Sequence, residues 1–154
     1  MTILLVRHAR AGDRDRWPGP DIERPLTKRG RAQADALAAL LPTLASGSIT
    51  TVLSSPYVRC RETVEPLARA AGTTVGDRAE LAEGARLPDV LALVAGLGAA
   101  PVVLCSHGDV IGDVVGWLAE RGLVTEARCA KGSTWVIERG PGGEPTAARY
   151  VDAP

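Results

Sequence analysis

The chain has 154 residues, of which 45% are hydrophobic, and this size and composition suit one domain with a substantial core. Its 18 basic and 18 acidic residues cancel, so the overall charge does not indicate binding to nucleic acid or to an anionic membrane surface. The first apolar run is too short for a signal peptide or a membrane span. We therefore expect a single cytoplasmic domain over residues 1–154, with neither a nucleic-acid polymer nor a membrane as partner.

Short apolar runs alternate with longer helical patterns along most of the chain. They are runs at 3–6, 51–53 and 102–105, and helical patterns at about 28–41, 57–71 and 109–121. This alternation is typical of β-α units on a parallel sheet, so the predicted fold class is α/β. Pro66 lies inside the second helical pattern, and we expect it to kink or shorten that helix.

Segments rich in glycine and proline separate these elements. Residues 11–21 contain too many breakers for regular structure and predict a loop over the crevice, and residues 84–87 predict another loop. Near the end of the chain, residues 133–138 and 146–151 predict two strands joined by a turn at 140–143. We expect at least one of them to be an antiparallel edge strand.

The only two histidines, His8 and His107, each follow an apolar strand-like run. Ligands of parallel sheets bind just beyond the carboxyl ends of the strands, so both imidazoles are expected to reach one crevice. A helical pattern begins directly after His107, and a helix N-terminus favours an anion. Each histidine alone is easily explained as a structural residue, but the pair is much less easily explained in that way.

Three arginines, Arg7, Arg24 and Arg59, accompany the histidines in these segments. Because a guanidinium group pairs bidentately with phosphate oxygens, this set favours an anionic substrate such as a phosphate. His8 is the predicted nucleophile, held by a backbone carbonyl that accepts from its non-attacking nitrogen, and His107 is the predicted donor to the phosphoryl oxygens. The residues therefore predict phosphoryl transfer through a phosphohistidine.

A leaving oxygen also needs a proton, and Glu83 is the predicted general acid, with Glu80 as its rival. An acidic loop residue is otherwise usually just solvated. The three cysteines form no CxxC motif and no Cys/His cluster, so we expect reduced thiols and neither a metal centre nor a cofactor. Whether Cys60 or Cys105 has a redox role stays open.

Four blocks of sequence occur in one order over nearly the whole chain. They are Leu5-Val6-Arg7-His8-Ala9, Arg24-Pro25-Leu26-Thr27-Lys28-Arg29-Gly30-Arg31-Ala32-Gln33-Ala34, Ser54-Ser55-Pro56-Tyr57-Val58-Arg59 and Ser106-His107-Gly108. Together they resemble the histidine phosphatase superfamily, whose fold is phosphoglycerate-mutase-like. The resemblance implies a three-layer α-β-α sandwich with a mostly parallel sheet and an antiparallel edge strand. It also implies His8 as nucleophile, Arg7, Arg59 and His107 in the phosphate pocket, and Glu83 as proton donor.

The short chain is similar to the SixA-type branch, which acts on phosphohistidine in signalling proteins. The loop 14–17 and the segment 131–136 instead resemble the histidine phosphatase domain fused to Nudix domains in some bacterial nucleotide-sanitising enzymes, which makes a Nudix-type protein a candidate partner. We expect a metal-independent phosphatase for a nucleotide or another small phosphorylated metabolite, acting on a phosphomonoester or phosphoryl anhydride. The alternatives are a SixA-like protein phosphohistidine phosphatase and, in another class, a non-catalytic phosphate-binding or Nudix-partner module.

Overall fold

The computed structural model describes residues 1–154 as one mixed sheet with helices on both faces. The strands are β1 (Thr2–Arg7), β2 (Thr51–Ser54), β3 (Val75–Asp77), β4 (Val102–Ser106), β5 (Thr134–Arg139) and β6 (Pro145–Val151). The helices are α1 (Lys28–Leu44), α2 (Val58–Ala70), α3 (Leu87–Ala95) and α4 (Gly108–Glu120), with short 3-10 turns at Asp21–Glu23 and Ala79–Leu81. None of the helices combines the length and apolar character of a membrane span.

The strand order β3-β2-β4-β1-β5-β6 determines where a crevice forms. Strands β3, β2, β4 and β1 pair in parallel, β5 runs antiparallel to β1, and β6 forms the edge antiparallel to β5. The connection after β1 leads to α1 on one face of the sheet, whereas the connection after β4 leads to α4 on the opposite face. The connecting loops therefore diverge beyond the carboxyl ends of β1 and β4, where open α/β sheets bind their ligands.

Both faces of the sheet are covered, which explains why the strands are continuous apolar runs. On β1, Leu4 and Val6 contribute to a core beneath α1 and α2, whereas Ile3 and Leu5 contribute to a second core beneath α3 and α4. All four side chains are at most 2% exposed. Full burial of such side chains typically stabilises a fold by about 1.5–3 kcal/mol each, so both layers of helices are anchored to this strand.

The predicted α/β sandwich, its mostly parallel sheet and its C-terminal hairpin with an antiparallel edge strand are confirmed. The expectation that Pro66 shortens α2 is wrong, because the helix continues to Ala70 and buries Leu67 and Ala68 beyond the proline. The sequence patterns also gave no indication of β3, which has only three residues and none buried, or of α3, which buries only Val90.

Candidate active site

The register of β1 against β4 brings the two histidines together. Arg7 and Ser106 are paired at the carboxyl ends of these strands, so His8 and His107 both lie one residue beyond the pair. The His8 amide donates to the Ser106 carbonyl oxygen at 3.0 Å, which continues the ladder into the turn. The two imidazole centroids are 5.5 Å apart and their planes are inclined by 65°.

His8 is held by the backbone through one ring nitrogen. Its Nδ1 lies 2.8 Å from the Ala9 carbonyl oxygen, and because a carbonyl only accepts, Nδ1 carries the proton and Nε2 the lone pair. The Ala9 amide donates in turn to the Thr63 hydroxyl at 2.9 Å. Burial, opposed by the Ala9 bond and assisted by the charges of Arg59, His107 and Arg7, lowers the pKa of His8 to about 3. The ring is therefore a neutral base at physiological pH.

His107 is held by side chains at both ring nitrogens. Its Nε2 lies 2.8 Å from the Ser55 hydroxyl, and Arg59 Nη2 lies 3.5 Å from its Nδ1. Because a guanidinium only donates, Nδ1 accepts from Arg59 and Nε2 donates to Ser55 in this arrangement. The Ser55 hydroxyl can also donate, so it can hold the ring when Nδ1 carries the proton instead. The ring is 2% exposed, in a fixed position at the N-cap of α4.

Arg7 lies against the N-terminus of α4 and depends on a glycine there. A Cβ atom on Gly108 would lie 3.0 Å from the Arg7 Cζ, so a larger residue would displace the guanidinium. One end of that guanidinium donates to the Cys129 carbonyl oxygen, and the buried Nε has no hydrogen-bond partner. Arg7, the His107 ring and the free amides of α4 thus converge on one place, which favours an anion.

Arg59 is fully buried at the start of α2 and is joined to two carboxylates. Its Nη2 lies 3.1 Å from Asp21 Oδ2 and 3.5 Å from Glu83 Oε2, and its buried Nε has no partner. Asp21 also accepts from Arg24 Nε at 2.9 Å. Burial opposes the Asp21 charge, but the hydrogen bond from Arg24 and the charges of Arg59, Arg24 and Arg14 outweigh it, so the pKa of Asp21 lies below its ordinary value.

Of the two candidate proton donors, Glu83 is the one that lines the cleft. Besides its contact with Arg59, it accepts from Arg14 Nη2 at 2.9 Å. The loop that carries it is fixed because Asp109, in the first turn of α4, accepts from the Gly84 amide at 2.7 Å. Glu80 lies in the 3-10 turn before this loop and is not part of the cleft lining.

Most of these groups line an open polar cleft of about 780 Å³. Arg59 is not itself part of the lining but contacts two residues that are, His107 and Glu83. Its lining includes His8, Arg7, Arg24, His107, Glu83 and Lys131, and Ala11–Arg14 form one rim. An apolar cavity of about 410 Å³ lies elsewhere, between α3, α4 and the β5–β6 turn, and contains neither histidine. No group of three or more His, Cys, Asp or Glu side chains is placed to hold a metal ion. The cleft is therefore the candidate active site.

Sequence comparison identifies the family of the chain. The family model of the histidine phosphatase superfamily (branch 1) matches residues 3–86, which is more than half of the chain. The chain belongs to the histidine phosphatase superfamily.

Two curated relatives and one solved structure are similar to this histidine phosphatase chain. The 8-oxo-(d)GTP phosphatase of Mycolicibacterium smegmatis is 40% identical over 161 residues, covering 99% of this chain and 48% of the relative. The chain thus spans about half the length of that relative. The SixA phosphohistidine phosphatase homolog of Haemophilus influenzae is 30% identical over 126 residues, covering 75% of each chain. The structure of the protein histidine phosphatase SixA with tungstate superposes with a TM-score of 0.75 at 21% identity, covering 98% of this chain and 94% of that one.

Three residues of this histidine phosphatase chain have a positioning role that only the structure reveals. Ser55, which belongs to the third motif, holds His107, and Thr63 and Asp21, which lie outside the motifs, hold the His8 loop and Arg59. Gly30, in the second block, is a further such residue, and a glycine near the start of a helix is a signal that can be recognised in the sequence. A Cβ atom there would lie 1.9 Å from the Arg10 carbonyl oxygen, so only glycine lets α1 approach the loop after His8.

Proposed function

We propose that this protein is a metal-independent phosphatase that acts through a phosphohistidine at His8. The lone pair of His8 Nε2 forms a bond to phosphorus while the bond from phosphorus to the leaving oxygen breaks. Water then attacks the phosphorus, the N–P bond breaks, and inorganic phosphate and neutral His8 are released. The observation that supports this most directly is the hydrogen bond from His8 Nδ1 to the Ala9 carbonyl, which leaves Nε2 as the only basic atom of the ring.

The positive charge that phosphoryl transfer needs is supplied by this chain's own side chains. Arg7 and Arg59 each keep a buried Nε donor without a partner, and both lie next to His8 or His107. Donors that are already in place when charge develops on the phosphoryl oxygens lower the barrier without reorganisation. We therefore assign Arg7, Arg59 and His107 to the transferring phosphoryl group, with Arg24 as a further contact at the same cleft.

Glu83 is the proposed proton donor to the leaving oxygen and later the base that activates water. Without substrate its carboxylate accepts from Arg59 and Arg14. A phosphate dianion that binds Arg59 competes for that guanidinium, and this exchange frees a Glu83 oxygen to face the leaving group. Proton donation is thereby linked to occupation of the phosphate pocket.

A phosphorylated small molecule, such as a nucleotide, is the substrate class we favour. The cleft has the volume of a typical small-molecule site, and the 40% identical relative is named an 8-oxo-(d)GTP phosphatase. The second candidate is a protein phosphohistidine, because the cleft is open and a 30% identical relative is a SixA homolog. A non-catalytic phosphate-binding module would keep the pocket without turnover.

The test is phosphoenzyme trapping combined with a substrate panel in the presence of EDTA. The panel contains p-nitrophenyl phosphate, nucleoside mono- and diphosphates, a sugar phosphate and a histidine-phosphorylated peptide. We expect turnover of the aryl phosphate and of at least one nucleotide, and an acid-labile, base-stable phosphate on acid-quenched enzyme that His8→Ala lacks. Loss of all activity with EDTA, or an unchanged phosphoenzyme in His8→Ala, would overturn the proposal.

A further inference from the structure

The cations that line the cleft, together with Arg10 and Arg59 beside it, fall into two groups that differ in their ion-pair partners. Arg14, Arg24 and Arg59 all form ion pairs with Asp21 or Glu83. Arg7, Arg10 and Lys131 take part in none of the ion pairs of the protein. The β1 side of the cleft, next to His8, therefore carries positive charge that no carboxylate of this chain neutralises.

The backbone holds Lys131 beside His8 in a fixed segment. The Gly132 amide lies 3.1 Å from both the Arg7 and the His8 carbonyl oxygens, and Arg7 donates to the Cys129 carbonyl oxygen. Gly132 has a φ of +81°, so a side chain there would be strained, and the bend directs the chain back toward β1. Lys131 therefore lies on a rim that is attached to the nucleophile's own strand.

Gln33 of α1 links Lys131 to Arg10. Its Oε1 accepts from the Arg10 amide at 3.0 Å, and its Nε2 lies 3.4 Å from the Lys131 carbonyl oxygen. Burial, followed by the charges of Arg7, Arg24, Arg10 and Arg59, lowers the pKa of Lys131. Gln33 thus fixes the backbone that carries Lys131, and an anion bound beside the Lys131 ammonium would offset the repulsion from the surrounding arginines.

We propose that Lys131 provides an outer anion subsite that binds the second phosphate of a phosphoanhydride, such as a nucleoside diphosphate, while its terminal phosphate lies against His8. This inference rests on the proposed function. One phosphoryl group uses Arg7, Arg59 and His107, so Lys131, the remaining cation of the cleft lining without an ion-pair partner, matches a charge on the leaving group. When His8 attacks the terminal phosphorus, the bridging P–O bond breaks and the nucleoside monophosphate leaves with its charge already paired. Such a leaving phosphate needs little protonation. When the substrate is a phosphohistidine protein, the leaving imidazole carries no anionic group that could occupy this subsite.

The test compares GDP with GMP in Lys131→Ala and in the control Lys28→Ala. Lys28 is the only other lysine of the chain and is exposed on α1, outside the cleft. We expect Lys131→Ala to lower kcat/KM for GDP about tenfold, mainly through KM, because one charge-assisted contact is lost. The same variant should change GMP turnover less than about twofold, and Lys28→Ala should change neither. Equal losses on GDP and GMP would overturn the subsite.

Calorimetry with inorganic ions separates this subsite from the proposed activity. Pyrophosphate should bind the wild type about tenfold more tightly than inorganic phosphate, and Lys131→Ala should remove that preference. If the wild type does not prefer pyrophosphate over inorganic phosphate, the subsite is refuted, even if the enzyme is an active phosphatase. If GDP and GMP are not hydrolysed, the proposed nucleotide activity is refuted, but the pyrophosphate measurement still decides whether the subsite exists. If Lys131→Ala impairs turnover only of a histidine-phosphorylated peptide, Lys131 serves a protein substrate and the proposal is overturned.

Discussion

The carboxyl ends of β1 and β4 have the same local arrangement, but their histidines are held by different contacts. Each is a buried strand followed directly by a histidine, and the two are hydrogen-bonded neighbours. His8 is bonded through Nδ1 to the backbone, and its Nε2 has no partner within the protein. His107 has Ser55 at one nitrogen and Arg59 at the other.

This difference shows that position after a strand does not by itself assign a role to an imidazole. A nucleophile needs a defined tautomer and one unoccupied basic nitrogen, and the backbone provides both at His8. A donor to phosphoryl oxygens needs a fixed ring that can carry a proton, and the Ser55 hydroxyl provides that at His107. The predictions below test this assignment.

The largest effect is expected for His8→Ala. Without the nucleophile, turnover should fall at least about a thousandfold and no phosphoenzyme should form, because no other side chain of the cleft offers an unoccupied imidazole nitrogen. Steady-state rates and acid-quench trapping measure the two effects, and circular dichroism checks the fold. If His107→Ala instead abolished the phosphoenzyme while His8→Ala kept it, the two assignments would have to be exchanged.

Smaller losses of about 100- to 1000-fold are expected for His107→Gln and Arg59→Ala, the usual range when one donor to a developing oxyanion is removed. Both variants should also bind vanadate more weakly, which titration against the aryl phosphatase activity measures. Arg61→Ala is the matched control. Arg61 lies in α2 two residues after Arg59 and pairs with Asp77, and unlike Arg59 it contacts neither His107 nor Glu83. Equal damage by Arg61→Ala and Arg59→Ala would contradict the assignment of Arg59 to the phosphate.

How far the sequence predicts this site depends on the kind of contact. The two histidines could be placed together because buried parallel strands are apolar runs whose carboxyl ends meet at one edge of a sheet. Ser55, Thr63 and Asp21 could not be assigned their contacts, because each acts on a residue from a distant segment. The elements missed in the fold are β3, which has only three residues, and α3, a mostly apolar run of nine residues that is too short for periodicity to separate helix from strand.

Glu83→Gln should have an effect that depends on the leaving group. An alkyl phosphate needs a proton on its leaving oxygen, so the chemical step should slow about 100-fold, whereas p-nitrophenolate leaves readily and should be affected much less. Single-turnover rates are the measurement, because slow hydrolysis of the phosphohistidine would hide the difference. Equal losses on both substrates would mean that Glu83 only positions Arg59, and no loss on either would return the role to Glu80 or to the substrate.

The low pKa of His8 predicts a pH-dependent stability. Its pKa is about 3 in the folded protein against 6.5 as the ordinary value. Between these values the unfolded chain binds a proton that the folded chain does not. The free energy of unfolding should therefore fall as the pH falls below 6.5, by about 1.4 kcal/mol per pH unit from this group. Urea denaturation at pH 7.5, 5.5 and 4.5 in phosphate-free buffer measures it.

The control for this pH effect is His8→Gln, which has no titrating group at this position. Its free energy of unfolding should fall less steeply than that of the wild type below pH 6.5, and the two slopes should coincide above pH 7.5. Parallel curves over the whole range would show that the folded protein protonates His8 as readily as the unfolded chain does, which would remove the basis for a neutral nucleophile.

The smallest effect is expected for Cys60→Ala. The Cys60 Sγ lies 3.5 Å from His107 Nε2, but Ser55 already engages that nitrogen at 2.8 Å, so the ring should keep its position without the thiol. We expect turnover within about threefold of the wild type and a loss of about 1 kcal/mol in stability, typical of a small change in the core. Cys60 and Cys105 are both 0% exposed, so a thiol reagent should label only Cys129 in the folded protein. A different result would give this thiol a regulatory role: the reagent labels Cys60 and activity is lost, and the Cys60→Ala variant keeps its activity under the same treatment.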